Sequence, residues 1–241
     1  MTELGFLART REGYDLTAAV YAQQFHDHLH DKPLDRAMLA GFAGLLDRDG
    51  VIADVGCGTG ATSRVLADIG LDVIGIDLSP NMLTEARRRN PDLRFQVGSM
   101  TNLDFDDGHF EGICAWYSVI HIPDDQLPHV LSEFRRVLRP GGWVLLAFQV
   151  GEQPREFKQM FGEQVSLTFY RRQPDSVALL LEAAGLEPYA GLVREPNDDG
   201  FESTPHAYLI ARRMWACIDS QGIASATEMC PSKPRPAAVC R

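Results

Sequence analysis

Residues 53–60, ADVGCGTG, place an acid and three glycines within eight positions. Glycine at this density lets main chain approach a ligand that side chains would keep away. The spacing separates ligand classes. A dinucleotide loop reads G-x-G-x-x-G, with its third glycine packing helix on strand and the pyrophosphate on the helix N-terminus. Here Gly56, Gly58 and Gly60 read G-x-G-x-G, and Asp54 precedes the first glycine by two residues, a poor place for an anion to meet a pyrophosphate. The bland alternative is a tight turn. His121, in WYSVIHIP, is the first candidate for a general base, since an unperturbed imidazole titrates near 6.5. His206 is the second. Either histidine can equally be structural. Cys57 and Cys114 stand in apolar surroundings and read as small fillers. No cysteine pair has zinc-finger spacing and no cluster of histidines and acids has obvious metal spacing, so no metal is expected.

The elements that must carry these residues alternate. Residues 12–30 set Tyr14, Ala18, Tyr21 and Phe25 at helical spacing, and Lys32-Pro33 breaks that helix before a second one over 34–46. Strands are expected at 51–55, 73–76, 93–97, 113–116, 143–148, 186–193 and 207–212, and helices at 61–69, 80–89, 125–138 and 174–184. Ser79 reads as an N-cap with Pro80 at the first helical position. RPGG at 139–142 stops the helix before it, and Arg87, Arg88 and Arg89 complement a helix C-terminus. Strand-helix alternation predicts an α/β fold: a Rossmann-like, doubly wound, mostly parallel seven-stranded sheet with helices on both faces. Ligands of such sheets lie beyond the strands' carboxyl ends, where the glycine loop falls.

The composition bounds the rest. The chain has 241 residues, 45% apolar and 23% charged, with net charge −10. It suits one sizeable soluble domain, and its acidity argues against nucleic acid as partner. No apolar run spans a membrane and no secretory leader is visible, so a cytoplasmic, reduced protein is expected. The tail from Asp219 is polar and patternless and is expected to be disordered.

Taken in order, ADVGCGTG, VIGIDLSPNML, FEGICAWYSVIHI and EFRRVLRPGGWVLLAF resemble the four motifs of the class I S-adenosylmethionine-dependent methyltransferases, small-molecule type, over about residues 50–150. The resemblance implies S-adenosylmethionine as cofactor and methyl transfer to a small-molecule acceptor, to oxygen first and nitrogen next, by in-line displacement. It implies that Asp54, Gly56, Cys57, Gly58 and Gly60 form the cofactor loop, and that Asp77 accepts from the ribose diol. Leu78 and Met82 cover the adenine, with Trp116 and Tyr21 beside the cofactor. Many relatives carry an acid after the third strand for the adenine amine. Here that place falls on Ser99, with Met100 backbone, Asn102 or Asp104 as alternatives.

The resemblance also makes residues 1–46 a helical lid and 47–218 the methyltransferase domain. Tyr14 and Tyr21 lie seven residues apart, on one helix face. Arg36 is a candidate for the cofactor carboxylate. The insert 151–173 forms a substrate wall bearing Phe157, Met160, Phe161, Phe169, Tyr170, Arg171 and Arg172. Tyr14, Tyr117, His121, Phe148, Tyr170 and Arg171 are the expected acceptor contacts. A homodimer is an admissible assembly. Two other readings compete: a non-catalytic cofactor-binding module, and a nicotinamide oxidoreductase. The latter wants a Tyr-x-x-x-Lys pair, and YSVIH lacks the lysine.

Overall fold

A computed structural model describes residues 5–25, 27–47, 49–215, 217–218 and 224–225. The chain opens with two helices, α1 (Gly5–Phe25) and α2 (Pro33–Ala43), and then alternates. The order is β1 (Val51–Val55), α3 (Ala61–Asp68), β2 (Asp72–Asp77), α4 (Pro80–Arg89), β3 (Arg94–Val97) and β4 (Phe110–Trp116). After β4 come a 3₁₀ turn (Val119–His121), α5 (Leu127–Val137) and β5 (Leu138–Gln149). The remainder is β6 (Arg155–Met160), β7 (Glu163–Phe169), α6 (Pro174–Ala183), β8 (Leu186–Arg194) and β9 (His206–Arg213).

Seven strands form one sheet in the order β3-β2-β1-β4-β5-β9-β8. The first five are parallel, and β9 and β8 close it antiparallel. Strand order reverses between β1 and β4, which opens a crevice at their carboxyl ends. Central strands are apolar because helices cover both faces. β4 is buried at every position. One core packs α5 and α6 against the sheet through Phe134, Val177 and Leu181. The other packs α2 and α3 through Leu39, Phe42 and Leu66.

Two expectations differ from the structure. α1 begins at Gly5 rather than residue 12, which adds about two turns at its N-terminal end. RPGG does not separate α5 from the next strand: β5 starts at Leu138, and the motif forms an irregularity between Leu138, paired with Phe110, and Trp143, paired with Gly112. The insert is an antiparallel hairpin, β6–β7, against which α1 packs. The expected disordered tail lies outside the described residues except for Ala224 and Ser225, whose backbone pairs with Ile218 and Cys217. Among the described residues, no helix is long and apolar enough to cross a membrane.

Candidate active site

The loop after β1 is tied to the neighbouring strand tip: the N–H groups of Gly56 and Cys57 both donate to the Ile76 carbonyl, at 2.7 and 3.1 Å. Gly56 and Gly58 have φ of 75° and 54°, the left-handed region that favours glycine. Their surroundings differ. A Cβ on Gly56 would lie 2.2 Å from Ser118 Cβ, whereas one on Gly58 would meet nothing within 4 Å. Gly56 therefore lets β1 and the segment after β4 close up, and Gly58 leaves bare main chain facing open space.

That space is a cavity at the carboxyl ends of β1, β2 and β4. Gly56, Gly58, Asp77, Leu78, Met82, Ser99, Met100, Trp116, Tyr117 and His121 line it from the sheet side, and Tyr14 and Tyr21 of α1 lie across it. Burial pushes the Asp77 carboxyl up to about 6, against the opposing pull of the Ser79 and Gly58 N–H groups. Those two donors sit 2.8 Å from Oδ1 and Oδ2 respectively. Trp116 Nε1 is buried without a partner. Residues of this kind fit an adenosyl cofactor without phosphate: open backbone at Gly58, one carboxylate at the β2 tip, and thioether and leucine side chains beside it.

Tyr14 reaches His121 across the cavity, with its hydroxyl 2.9 Å from Nε2. Burial pushes His121 down to about 4, opposed by the backbone of Thr168, while Nδ1 has no hydrogen-bond partner of ordinary geometry. The ring is thus neutral near pH 7. Burial, and next the neighbouring Tyr21, raise Tyr14 well above the usual phenol range, so its hydroxyl keeps its proton. The expected base is a hydrogen-bonding partner of Tyr14 and binds protons weakly.

Several expected contacts lie elsewhere. Asp54 is fully buried beneath the loop, where Oδ2 accepts from Ser63 Oγ at 2.6 Å and pins α3 to β1. Cys57 packs with Leu83, Ala86 and Phe95, and a Cβ on Gly60 would strike Phe95 at 2.9 Å. Strand alternation puts Phe148 in the core under α5 and α6. Tyr170 donates its N–H to the Ile120 carbonyl, and the Arg171 side chain packs over Gly151. Arg172 is buried, donates to the carbonyls of Val119 and Ile122 and pairs with Asp124, bracing the turn that holds His121. Asn102 and Asp104 line a separate depression with Arg136, and Arg36 lies on a groove between α2 and α3.

The first turns of α1 were missed. Phe6, Leu7, Thr10 and Arg11 also line the cavity. The signal was present, since Leu7, Thr10 and Tyr14 follow three-and-four helical spacing.

Comparisons with known proteins agree with this arrangement. Residues 52–142 match the family described as a methyltransferase domain. The demethylmenaquinone methyltransferase of Beutenbergia cavernae is 41% identical over 98 residues, which are 40% of this chain and 39% of that one. The chloroplastic tocopherol O-methyltransferase of Arabidopsis thaliana is 32% identical over 148 residues, 54% of this chain and 42% of that one. The chain thus matches about two fifths of the length of these curated relatives. Among solved structures, a DhpI–SAH complex superposes with a TM-score of 0.70 at 21% identity, covering 88% of this chain and 99% of that one. The magnesium protoporphyrin IX methyltransferase of Synechocystis, with bound SAM, gives 0.66 at 16% identity, covering 88% and 99%. The sheet order and the crevice at β1 and β4 are those of a class I methyltransferase fold.

Proposed function

We propose that the protein is an S-adenosylmethionine-dependent methyltransferase acting on a small-molecule acceptor, with an oxygen nucleophile first and nitrogen second. The observation that carries this reading is the pairing of the Asp77 carboxylate with the open main chain of Gly58 in a cavity roofed by Tyr14 and Tyr21. When bound, S-adenosylmethionine supplies a methyl group on a sulfonium, an electrophile that needs no further activation. Asp77 would hold the ribose diol, Gly56 and Gly58 the methionine portion, and Leu78, Met82, Ser99 and Met100 the adenine. Leu7 and Trp116 exclude water around the reacting atoms. Tyr14, held by His121, positions a hydrogen bond on the acceptor side. Alignment of this kind is worth up to about 7–11 kcal/mol of barrier.

In this reading α1 and α2, within residues 1–46, act as a lid over a methyltransferase domain at 47–218. The hairpin β6–β7, within 151–173, forms the opposite wall. The relatives named for demethylmenaquinone and tocopherol favour a ring-bearing acceptor. The net charge of −10 disfavours nucleic acid, and the buried free thiols of Cys57 and Cys114 suit the reducing cytoplasm. The test is calorimetry with S-adenosylhomocysteine, followed by transfer of a tritiated methyl group to a panel of phenols, carboxylic acids and amines. Binding at micromolar or tighter affinity is expected. Absence of binding overturns the reading.

A further inference from the structure

Tyr14 and His121 both line the cavity, and the direction of the hydrogen bond between them decides what Tyr14 offers a ligand. The end of β7 runs beside the turn that carries His121. The Tyr170 N–H donates to the Ile120 carbonyl at 2.7 Å, and the Phe169 ring lies 5.0 Å from the imidazole between centroids. This brings the main chain of Thr168 against the imidazole. Burial lowers the proton affinity of the ring, and the Thr168 backbone opposes that, as a carbonyl acceptor does. A neutral imidazole carries one N–H. With the proton on Nδ1, toward Thr168, Nε2 keeps a lone pair for the Tyr14 hydroxyl 2.9 Å away. The opposite tautomer would set a lone pair against a carbonyl. Tyr14 therefore donates to His121, and the lone pairs of its oxygen remain to accept from the cavity.

Tyr117 lines the same cavity with its hydroxyl already spent. Tyr208 donates to Asp35 Oδ1 at 2.8 Å, so Tyr117 donates to Tyr208 at 2.7 Å and accepts from His206 Nδ1 at 2.6 Å. Arg194 fixes this cluster from behind, with Nε 3.0 Å from Asp35 Oδ2 and Nη1 paired with Glu202. Tyr117 also has φ of 52°, a backbone cost that non-glycine residues meet only where the surroundings enforce it. Its ring is thus held in place beside Trp116 on the cavity wall, facing Tyr21 of α1.

We propose that Tyr14 Oη accepts the hydroxyl proton of a phenolic acceptor and relays its own proton to His121 Nε2. The acceptor class is a neutral aromatic hydroxyl set among the rings of Tyr21, Trp116 and Tyr117. A carboxylate would turn its charge toward the lone pairs of Tyr14. The inference rests on the methyltransferase reading and deepens it. The step balances. A lone pair of the hydroxyl oxygen forms the bond to the methyl carbon, and the pair of the broken carbon–sulfur bond stays on sulfur. The hydroxyl proton goes to Tyr14 Oη as the Tyr14 proton goes to His121. One positive charge leaves sulfur and one arrives on the imidazole, so the net charge of the cavity is unchanged. Burial keeps Tyr14 protonated, so it gives up a proton only while receiving one. Burial of His121 then favours release of the proton to solvent.

Three measurements decide it. Nitrogen-15 spectra of the wild-type protein should place the His121 proton on Nδ1. Equilibrium dialysis with S-adenosylhomocysteine present compares phenol, anisole and benzoate. Wild type should bind phenol about three- to tenfold more tightly than either, and Tyr14→Phe should lose that preference. Transfer of a tritiated methyl group to phenol, catechol and 2-naphthol separates relay from positioning. In His121→Gln the amide oxygen still accepts from Tyr14, so phenol affinity should hold, while transfer falls more than tenfold because an amide takes up no proton. A proton on Nε2, no phenol preference in wild type, a preference that survives in Tyr14→Phe, no transfer to any of the three phenols, or full transfer by His121→Gln overturns the relay. Failure of S-adenosylhomocysteine to bind, with the tautomer and the phenol preference intact, overturns the methyltransferase reading and leaves the Tyr14 subsite standing.

Discussion

Asp77 does two jobs with one carboxylate. It ties the glycine loop to the start of α4 through the N–H groups of Gly58 and Ser79, and it presents the same oxygens to the cavity. Replacement by Asn should lower S-adenosylhomocysteine affinity at least tenfold, read by calorimetry, with the circular dichroism spectrum unchanged. Because burial holds this acid up at about 6, wild-type affinity should fall as pH drops below 6, where the carboxyl takes a proton and stops accepting. The Asn variant should show no such slope, and a slope that survives assigns the titration to another group. His121 makes a different prediction. Its Nε2 is engaged by Tyr14 and its ring stays neutral, so His121→Ala should reduce turnover more than tenfold while S-adenosylhomocysteine affinity holds. Undiminished turnover would remove the Tyr14–His121 pair from the acceptor side. At this scale, Gly56, Gly58 and Asp77 were legible because their types answer a local backbone demand. Phe148 was misread because a residue's side of the sheet depends on strand alternation. Spacing to a motif does not report that.

At the scale of elements, α1 is held at both ends of the cavity. Asp15 accepts from Ser79 Oγ at 2.5 Å and from Asn81 N at 3.2 Å, so a carboxylate of α1 sits on the N-terminus of α4. Gly13 packs against β7, and a Cβ there would lie 2.9 Å from a Leu167 methyl. These contacts predict that Asp15→Ala loosens α1 alone. Hydrogen exchange over 5–25 should accelerate, and S-adenosylhomocysteine should dissociate several-fold faster, with the sheet's protection unchanged. Gly13→Val, which forces α1 off the hairpin, should do the same. Unaltered exchange in both would show that α1 is fixed by other contacts. The α4 cap was readable in advance, since Ser79 then Pro80 is a local signal, and Ser79 Oγ does accept from Met82 N. The hairpin was not. REFKQM and EQVSLTF mix charged and apolar residues because β6 and much of β7 are exposed. A two-stranded ribbon with little burial leaves a weak periodic trace.

At the scale of the whole molecule, the parallel sheet was the most legible feature, because strands buried on both faces read as apolar runs between helical patterns. The hydrogen-bonded cluster behind Tyr117 was invisible. Its members come from α2, β8, β9 and the connection between them, and no spacing in the sequence joins Asp35 to Arg194. That cluster and the site acids together predict how stability depends on pH. Burial raises Asp54 to about 7 and Asp77 to about 6, from 3.8. Each favours the folded state while protonated, and that contribution is lost as pH rises through 6 to 7. Burial lowers His121 and His206 to about 4, from 6.5. Each neutral imidazole favours the folded state above 6.5, and that contribution is lost as pH falls toward 4. Between about pH 4.5 and 6 the folded chain holds protons on two acids that the unfolded chain has released, and lacks them on two histidines that the unfolded chain has charged. The slopes oppose, so the melting temperature should be nearly flat across this window. Below it, stability should fall: although burial alone would raise Glu202, its hydrogen bonds from Arg194 and Lys32 hold it well under the usual carboxylate range. Asp54→Asn removes one acid and should make the melting temperature climb with pH by a few degrees across the window. His121→Gln with His206→Gln should make it decline. Calorimetric melting at half-unit pH steps measures both, and a profile that stays flat in either variant would mean that these four groups do not govern the balance.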